Sequence, residues 1–194
     1  MDEFAVEDRG VSYKPSFVNY VEGIYVGYRF YETAAKEGAI NYAGYVQYPF
    51  GYGLSYTNFT KEMGEIVANN GKISVDVLVT NTGNVAGKDV VQLYFNPPYT
   101  NGGIEKASTN LIGFAKTKLL QPGESETVKI TFAVEDMASF DEKIKKAYVL
   151  EKGVYEISLQ EDSHNILDTR TFPLEDDIVY GDTNKRSTDD AVAT

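Results

Sequence analysis

The chain reads as mainly β, an antiparallel β-sandwich of immunoglobulin-like type carrying a Tyr-rich N-terminal segment. Two observations predict this and a third narrows it. Apolar and polar residues alternate through much of 59–174. Turn-forming residues break that stretch into about seven short runs. Cysteine and tryptophan are both absent, so no disulfide or tryptophan pins the core as in an antibody-type domain.

The 194 residues, 42% of them hydrophobic, suffice for one good core and a small second element. They divide into three parts: 1–58, Tyr- and Gly-rich with poor periodicity; 59–174, alternating; and 175–194, polar and acidic, read as a linker. Of the first 60 residues 15 are Tyr or Phe. So aromatic a segment cannot stand in water as an isolated helix, and it is expected to lie against the sandwich. Its periodicity is ambiguous. Tyr20, Ile24, Tyr28 and Tyr31 recur at helical spacing, while Ile24, Val26, Tyr28 and Phe30 alternate like a strand. Thr33 to Glu37 are good helix formers, with Gly38 as the stop.

In the middle part, Ile73 to Val79 places apolar residues at odd positions and, Leu78 excepted, polar ones at even positions, which gives a strand with one wet face. Asp89 to Phe95 is more apolar and therefore more central. Leu111 to Leu120 is a third candidate, and Thr127 to Phe132 alternates cleanly. Ala147 to Leu150 and Val154 to Leu159 flank Glu151-Lys-Gly153 as a hairpin-like connection. Ile166 to Phe172 supplies a last strand. Asn69-Asn-Gly71, Asn81-Thr-Gly83-Asn84, Asn96-Pro-Pro98, Asn101-Gly-Gly103 and Gln121-Pro-Gly123 are the turns, because Gly and Asn supply positive φ and Pro presets the bend.

Composition excludes several function classes. The net charge of −11 gives none of the clustered positive field that nucleic acid or an anionic membrane surface demands. No apolar run approaches the ~20 residues of a membrane span. The acidic N-terminus lacks the basic and apolar regions of a signal peptide. The lack of cysteine suits a reducing compartment such as the bacterial cytoplasm, with secretion left open. One histidine and no cysteine speak against a transition-metal site. Glu175, Asp176 and Asp177 lack the interleaved spacing of a calcium loop. No cofactor or metal is expected.

Few residues invite a chemical reading. Asp141 follows a strand, and its expected role is to cap turn backbone. Glu22 is expected to make a buried hydrogen bond or ion pair with Arg29. His164 stands beside Ser163 and Asp162, but neighbours on an extended chain point apart, so they form no triad.

Several segments, in this order and spacing, carry a family resemblance. Tyr20-Val-Glu-Gly-Ile-Tyr-Val-Gly-Tyr-Arg29 and Tyr48-Pro-Phe-Gly-Tyr-Gly-Leu-Ser-Tyr56 come first. Val79-Thr-Asn-Thr-Gly83, Ala86-Gly-Lys-Asp-Val-Val-Gln92, Leu111-Ile-Gly-Phe-Ala-Lys116, Leu120-Gln-Pro-Gly-Glu124 and Ala147-Tyr-Val-Leu-Glu-Lys-Gly153 follow. Together they resemble a family 3 glycoside hydrolase where its α/β sandwich domain ends and runs into its fibronectin type III-like domain. The tail, Thr188 to Thr194, is similar to the start of a further domain, as in members that place the barrel last.

The resemblance implies a parent that hydrolyses β-linked glucosides, with an Asp nucleophile from a barrel and an acid/base from the α/β domain. Retaining hydrolysis needs two carboxyl groups about 5–5.5 Å apart. This chain has neither the barrel nor the nucleophile motif, so no catalytic residue is assigned to it. The expected partners are the barrel and α/β domains of the parent, met through an interface at Tyr48, Phe50, Tyr52 and Tyr56. Tyr99, on the long loop from Asn96 to Gly103, is the candidate for contact with substrate oligosaccharide. The competing readings are a carbohydrate-binding module and an adhesive or scaffolding sandwich.

Overall fold

The computed structural model describes residues 23–189, together with two short backbone strands before them, β1 (Val6–Asp8) and β2 (Val11–Tyr13), which pair with each other. Among the described residues there follow one α-helix, α1 (Tyr28–Lys36), two short 3-10 helices (Tyr42–Gly44 and Val134–Met137) and eleven strands. These are β3 (Phe59–Met63), β4 (Val67–Asn69), β5 (Lys72–Asn81), β6 (Val90–Asn96), β7 (Asn110–Lys116), β8 (Ser125–Ala133), β9 (Ser139–Asp141), β10 (Ala147–Leu150), β11 (Gly153–Gln160), β12 (Ile166–Leu174) and β13 (Ile178–Tyr180).

Two antiparallel sheets face each other. In one, β5 is central, with β8 along one edge and β3 and β4 sharing the other. The second has the order β12-β11-β6-β7. A small third sheet, β13-β10-β9, adjoins them. The core lies between the two main sheets. From β5 it takes Ile73, Val75, Val77 and Val79, from β6 Val91, Leu93 and Phe95, from β8 Val128, Ile130 and Phe132, and from β11 Tyr155, Ile157 and Leu159. Each set is every second residue, as the two-residue period of a strand requires. Leu78, the one apolar residue at an even position of β5, sits on the wet face.

Two elements differ from the sequence reading. β10 and β11 are not a hairpin. β10 pairs with β9 and β13, whereas β11 pairs with β6 and β12. The chain changes sheets at Glu151-Lys-Gly153. Gly153 has φ +138 and packs so close to Pro98 that a Cβ there would lie 2.9 Å from the proline ring, so glycine serves a crossing here and not a tight turn. The candidate strand from Leu111 ends at Lys116. Beyond it Thr117 N–H donates to Asp89 C=O, and Leu120 makes an isolated bridge with Gly87. At the far end of the sheet, Pro173 lies on β12, an edge strand, where proline is tolerated.

The acidic stretch contributes structure within the described residues. β13 pairs with β10, and Ile178 and Tyr180 pack against the core. Asp177 accepts the Lys152 N–H at 2.7 Å. Arg186 lies 3.4 Å over the Tyr148 ring and pairs with Asp189 at 2.8 Å.

Candidate functional site

The outer face of the β6–β11 sheet should be wet in a lone sandwich, yet Tyr94 there is 0% exposed and Gln92 6%. The Tyr-rich segment covers them. α1 begins after Gly27, which adopts φ +57, and stops at Gly38, with φ +72. Tyr28, on its first turn, stacks on Phe50 with ring centroids 4.6 Å apart and meets Tyr94 edge-on at 6.2 Å. The hydroxyl of Tyr28 accepts the Leu111 N–H at 2.9 Å, and Thr33 Oγ1 accepts the Ser108 N–H at 3.0 Å.

One turn beyond Tyr28, and on the same helix face, is Glu32, which is 6% exposed. Its Oε1 accepts Tyr42 O–H at 2.6 Å and Ser163 O–H at 2.8 Å, and its Oε2 lies 2.9 Å from Nδ1 of His164. Tyr42 stacks flat on the His164 ring, with centroids 3.7 Å apart. Burial and the Glu32 carboxylate both push the Tyr42 phenol well above its ordinary range. Burial alone dominates the upward shift of Tyr94. Both hydroxyls stay neutral donors.

The segment Tyr48–Tyr56 is held by its backbone. The side-chain amide nitrogen Nε2 of Gln92 donates to Gly51 C=O at 3.2 Å, while Ser163 N–H donates to Phe50 C=O at 2.8 Å. Gly51, at φ +86, comes so close that a Cβ would stand 2.3 Å from Gln92 Oε1. Tyr94 O–H in turn donates to Gln92 Oε1 at 2.8 Å, which orients that amide. With the backbone fixed inward, the side chains turn outward. Tyr48 and Tyr52 lie against each other at 5.1 Å, both exposed. Phe50 shows half of its surface. Leu54 and Tyr56 are 89% and 102% exposed. Tyr45 extends the same run.

Tyr99 stands apart from that band. It lines a cleft of about 720 Å³ with Tyr25, Lys36, Asn101 and Glu156. The loop that carries it is fastened by Lys106, a buried cation whose ammonium donates to Pro98 C=O at 2.6 Å and pairs with Glu151. Tyr25 O–H donates to Glu105 at 2.7 Å; burial and that carboxylate push its pKa up to about 12. A second cleft, of about 440 Å³, lies between α1 and the same sheet and includes His164, Gln160, Ser158 and Asn96.

The remaining candidates are structural. Asp141 accepts the N–H groups of Lys143, Ile144 and Lys145, each at 3.0 Å, and those bonds, Ile144 and Lys145 first, hold its carboxyl below the usual range. Ser163 Oγ donates to Glu32 and not to His164, so no serine–histidine relay exists here. Glu22 lies outside the described residues. Glu32 escapes a reading for motifs. The available signal was a lone glutamate one helical turn from Tyr28 on a face that the aromatic residues require to be buried.

The fold defines a fibronectin type III-like sandwich with an aromatic segment docked on one sheet. Residues 89–163 match the sequence family of fibronectin type III-like domains. The chain is 43% identical to β-glucosidase A of Butyrivibrio fibrisolvens over 187 residues, covering 84% of this chain and 21% of that protein. It is 37% identical to a β-glucosidase of Kluyveromyces marxianus, covering 88% and 19%. Among solved structures, β-glucosidase 3B of Thermotoga neapolitana in complex with α-D-glucose superposes with a TM-score of 0.70 at 38% identity, over 83% of this chain and 21% of that one. Residues 89–163 thus match a fibronectin type III-like domain, and the chain is similar to a stretch of these β-glucosidases that makes up about a fifth of their length.

Proposed function

We propose that this chain is a non-catalytic brace within a family 3 β-glucosidase-type hydrolase. In this reading 59–174 form the fibronectin type III-like domain, 1–58 close the α/β domain, and 175–194 lead onward. The barrel and α/β domains of the longer protein dock on the band formed by Tyr48, Phe50, Tyr52 and Tyr56. The observation that carries this reading is a rigid backbone presenting apolar rings to solvent. Phe50 and Gly51 are bonded to the sandwich through main-chain groups, yet Leu54 and Tyr56 are almost wholly uncovered. Exposed apolar surface of this kind marks an interaction site. Burying each ring would contribute ~1.5–3 kcal/mol, so a few suffice to set the angle between domains.

The test is made on the longer protein carrying this chain. Replacing Tyr48, Tyr52 and Tyr56 together by Ser should lower its thermal midpoint and open the junction to limited proteolysis, while the isolated chain keeps its own midpoint. Unchanged stability and protease resistance of the longer protein would refute the brace. The isolated chain should not turn over a chromogenic β-glucoside.

A further inference from the structure

We propose that the groove between α1 and the outer face of β6 and β11 binds a saccharide. The reading of the parent as a β-glucosidase-type hydrolase guides only the choice of sugar. The two clefts described above share Lys36, Asn96, Ser108 and Glu156, so they form one continuous groove. Along β11 its open floor is Val154 and Glu156, while Ser158 and Gln160, which follow on the same face, are buried and hydrogen-bonded to each other. Val154 to Glu156 is about 7 Å of strand, enough for one or two sugar rings.

The chemistry along this floor suits hydroxyl groups. Glu156 and Asn96 face each other across the strands, with Asn96 Nδ2 donating to Glu156 Oε2 at 2.7 Å. That leaves Glu156 Oε1 and Asn96 Oδ1 as acceptors for hydroxyl groups. At one end, the buried Glu32 carboxylate holds Nδ1 of His164 at 2.9 Å. The imidazole is thereby oriented as a metal-bound or catalytic histidine is by a supporting carboxylate. Nε2 has no partner among the described residues. At the other end Tyr99 and Tyr25 supply rings against which the apolar face of a pyranose can pack, each with a polar tip.

Other occupants fit less well. Glu37 and Glu156 line the groove beside Lys36 and Lys106, the latter already paired with Glu151, so it offers no net positive field for a phosphate or carboxylate ligand. The polar floor offers no row of apolar pockets for a peptide strand or an amphipathic helix.

The test uses the full 194-residue chain and titrates it with cellotetraose, with glucose for comparison, by calorimetry and amide chemical shifts. We expect saturable binding with Kd on the order of 1 mM. Shifts should concentrate at residues 96–101, 154–160 and 164, and cellotetraose should bind more tightly than glucose. Glu156→Ala and Tyr99→Ala, both at exposed positions that leave the core intact, should each weaken binding about tenfold. No binding at saturating sugar, or shifts confined to 45–56 and abolished by Tyr56→Ser, would overturn the assignment. Either result leaves the brace to be judged separately, from the stability of the longer protein.

Discussion

Nδ1 of His164 lies 2.9 Å from Oε2 of Glu32, 132 positions away in the chain. Tyr42, stacked on the same imidazole, sends its hydroxyl to the other oxygen of that carboxylate. Helix α1, the turn after it and the β11–β12 loop are thereby closed into one ring. The docked segment is thus held by a specific polar knot as well as by aromatic packing.

Glu32→Ala removes the partner of the half-buried Tyr42 hydroxyl, the buried Ser163 hydroxyl and the more exposed His164 imidazole. Each lost partner costs ~1–3 kcal/mol, and relaxation returns part of it, so the expected loss is about 3 kcal/mol. Glu32→Gln keeps an acceptor for Tyr42 and Ser163 and should cost about 1 kcal/mol. Urea unfolding measures both. Amide exchange should show residues 28–36 of the alanine variant opening before the sandwich does. Equal stability of the two variants would show that the knot carries little energy.

Alkali should weaken the same junction. Tyr25 is pushed up to about 12, by burial and by Glu105, and the Tyr42 phenol is raised by burial and Glu32. A raised pKa means that folding favours the protonated form. The stability linked to these two groups is therefore complete below the unfolded phenol value of ~10 and is lost as pH rises through the folded values. Circular dichroism between pH 9 and 12 (a range set by those ~10 and ~12 values) should show a falling thermal midpoint. Tyr42→Phe cannot ionise at this position and should reduce the slope, though its midpoint at neutral pH is lower. Parallel curves for the two proteins would remove Tyr42 from the account.

Acid acts elsewhere, on the turn after β9. The carboxyl of Asp141 is held below its usual range by the N–H groups of Ile144, Lys145 and Lys143. Its contribution is present above the unfolded carboxyl value of ~3.9 and is lost as pH falls through the folded pKa. Asp141→Asn should lower stability at neutral pH and leave a shallower decline in acid. Guanidine midpoints at neutral pH and in the acid limb decide this. An unchanged acid slope would mean that Asp141 does not report on folding.

Where local pattern and burial coincide, the sequence is legible. Ile73, Val75, Val77 and Val79 alternate because one face of β5 is dry, and all four are fully buried. The end of α1 was readable from Gly38, but its beginning was not. Tyr28 to Tyr31 satisfy both a helical and an extended period, and the choice is made by Phe50 and Tyr94, which lie far along the chain. The same cause hid Glu32, whose partners Ser163 and His164 belong to a loop with no local link to a helix. Glu151-Lys-Gly153 misled for a different reason. Glycine signals an unusual backbone or a close approach, and only the contact with Pro98 reveals which one applies.

Asn81 joins the junction to the sandwich, and its replacement should be among the most damaging single changes. It is fully buried at the end of β5. Its Oδ1 accepts Thr57 O–H at 2.7 Å and Gly83 N–H at 3.1 Å, and its Nδ2 donates to Val85 C=O at 2.8 Å and Leu120 C=O at 2.9 Å. All the hydrogen-bonding capacity of one amide is used, and two of the partners are carbonyls that demand a donor. Asn81→Ala should cost about 4 kcal/mol through the unsatisfied groups and the space left behind. Asn81→Asp, of the same shape, should cost at least as much, because it sets a second acceptor against Val85 and Leu120. Thr57→Val removes only the hydroxyl donor and should cost about 1 kcal/mol. The two sites touch, so their effects should not add. In the Asn81→Ala background, Thr57→Val should have almost no further effect in urea unfolding. Full additivity would mean that Thr57, and with it the exit of the exposed aromatic band at Tyr56, is anchored by something other than Asn81.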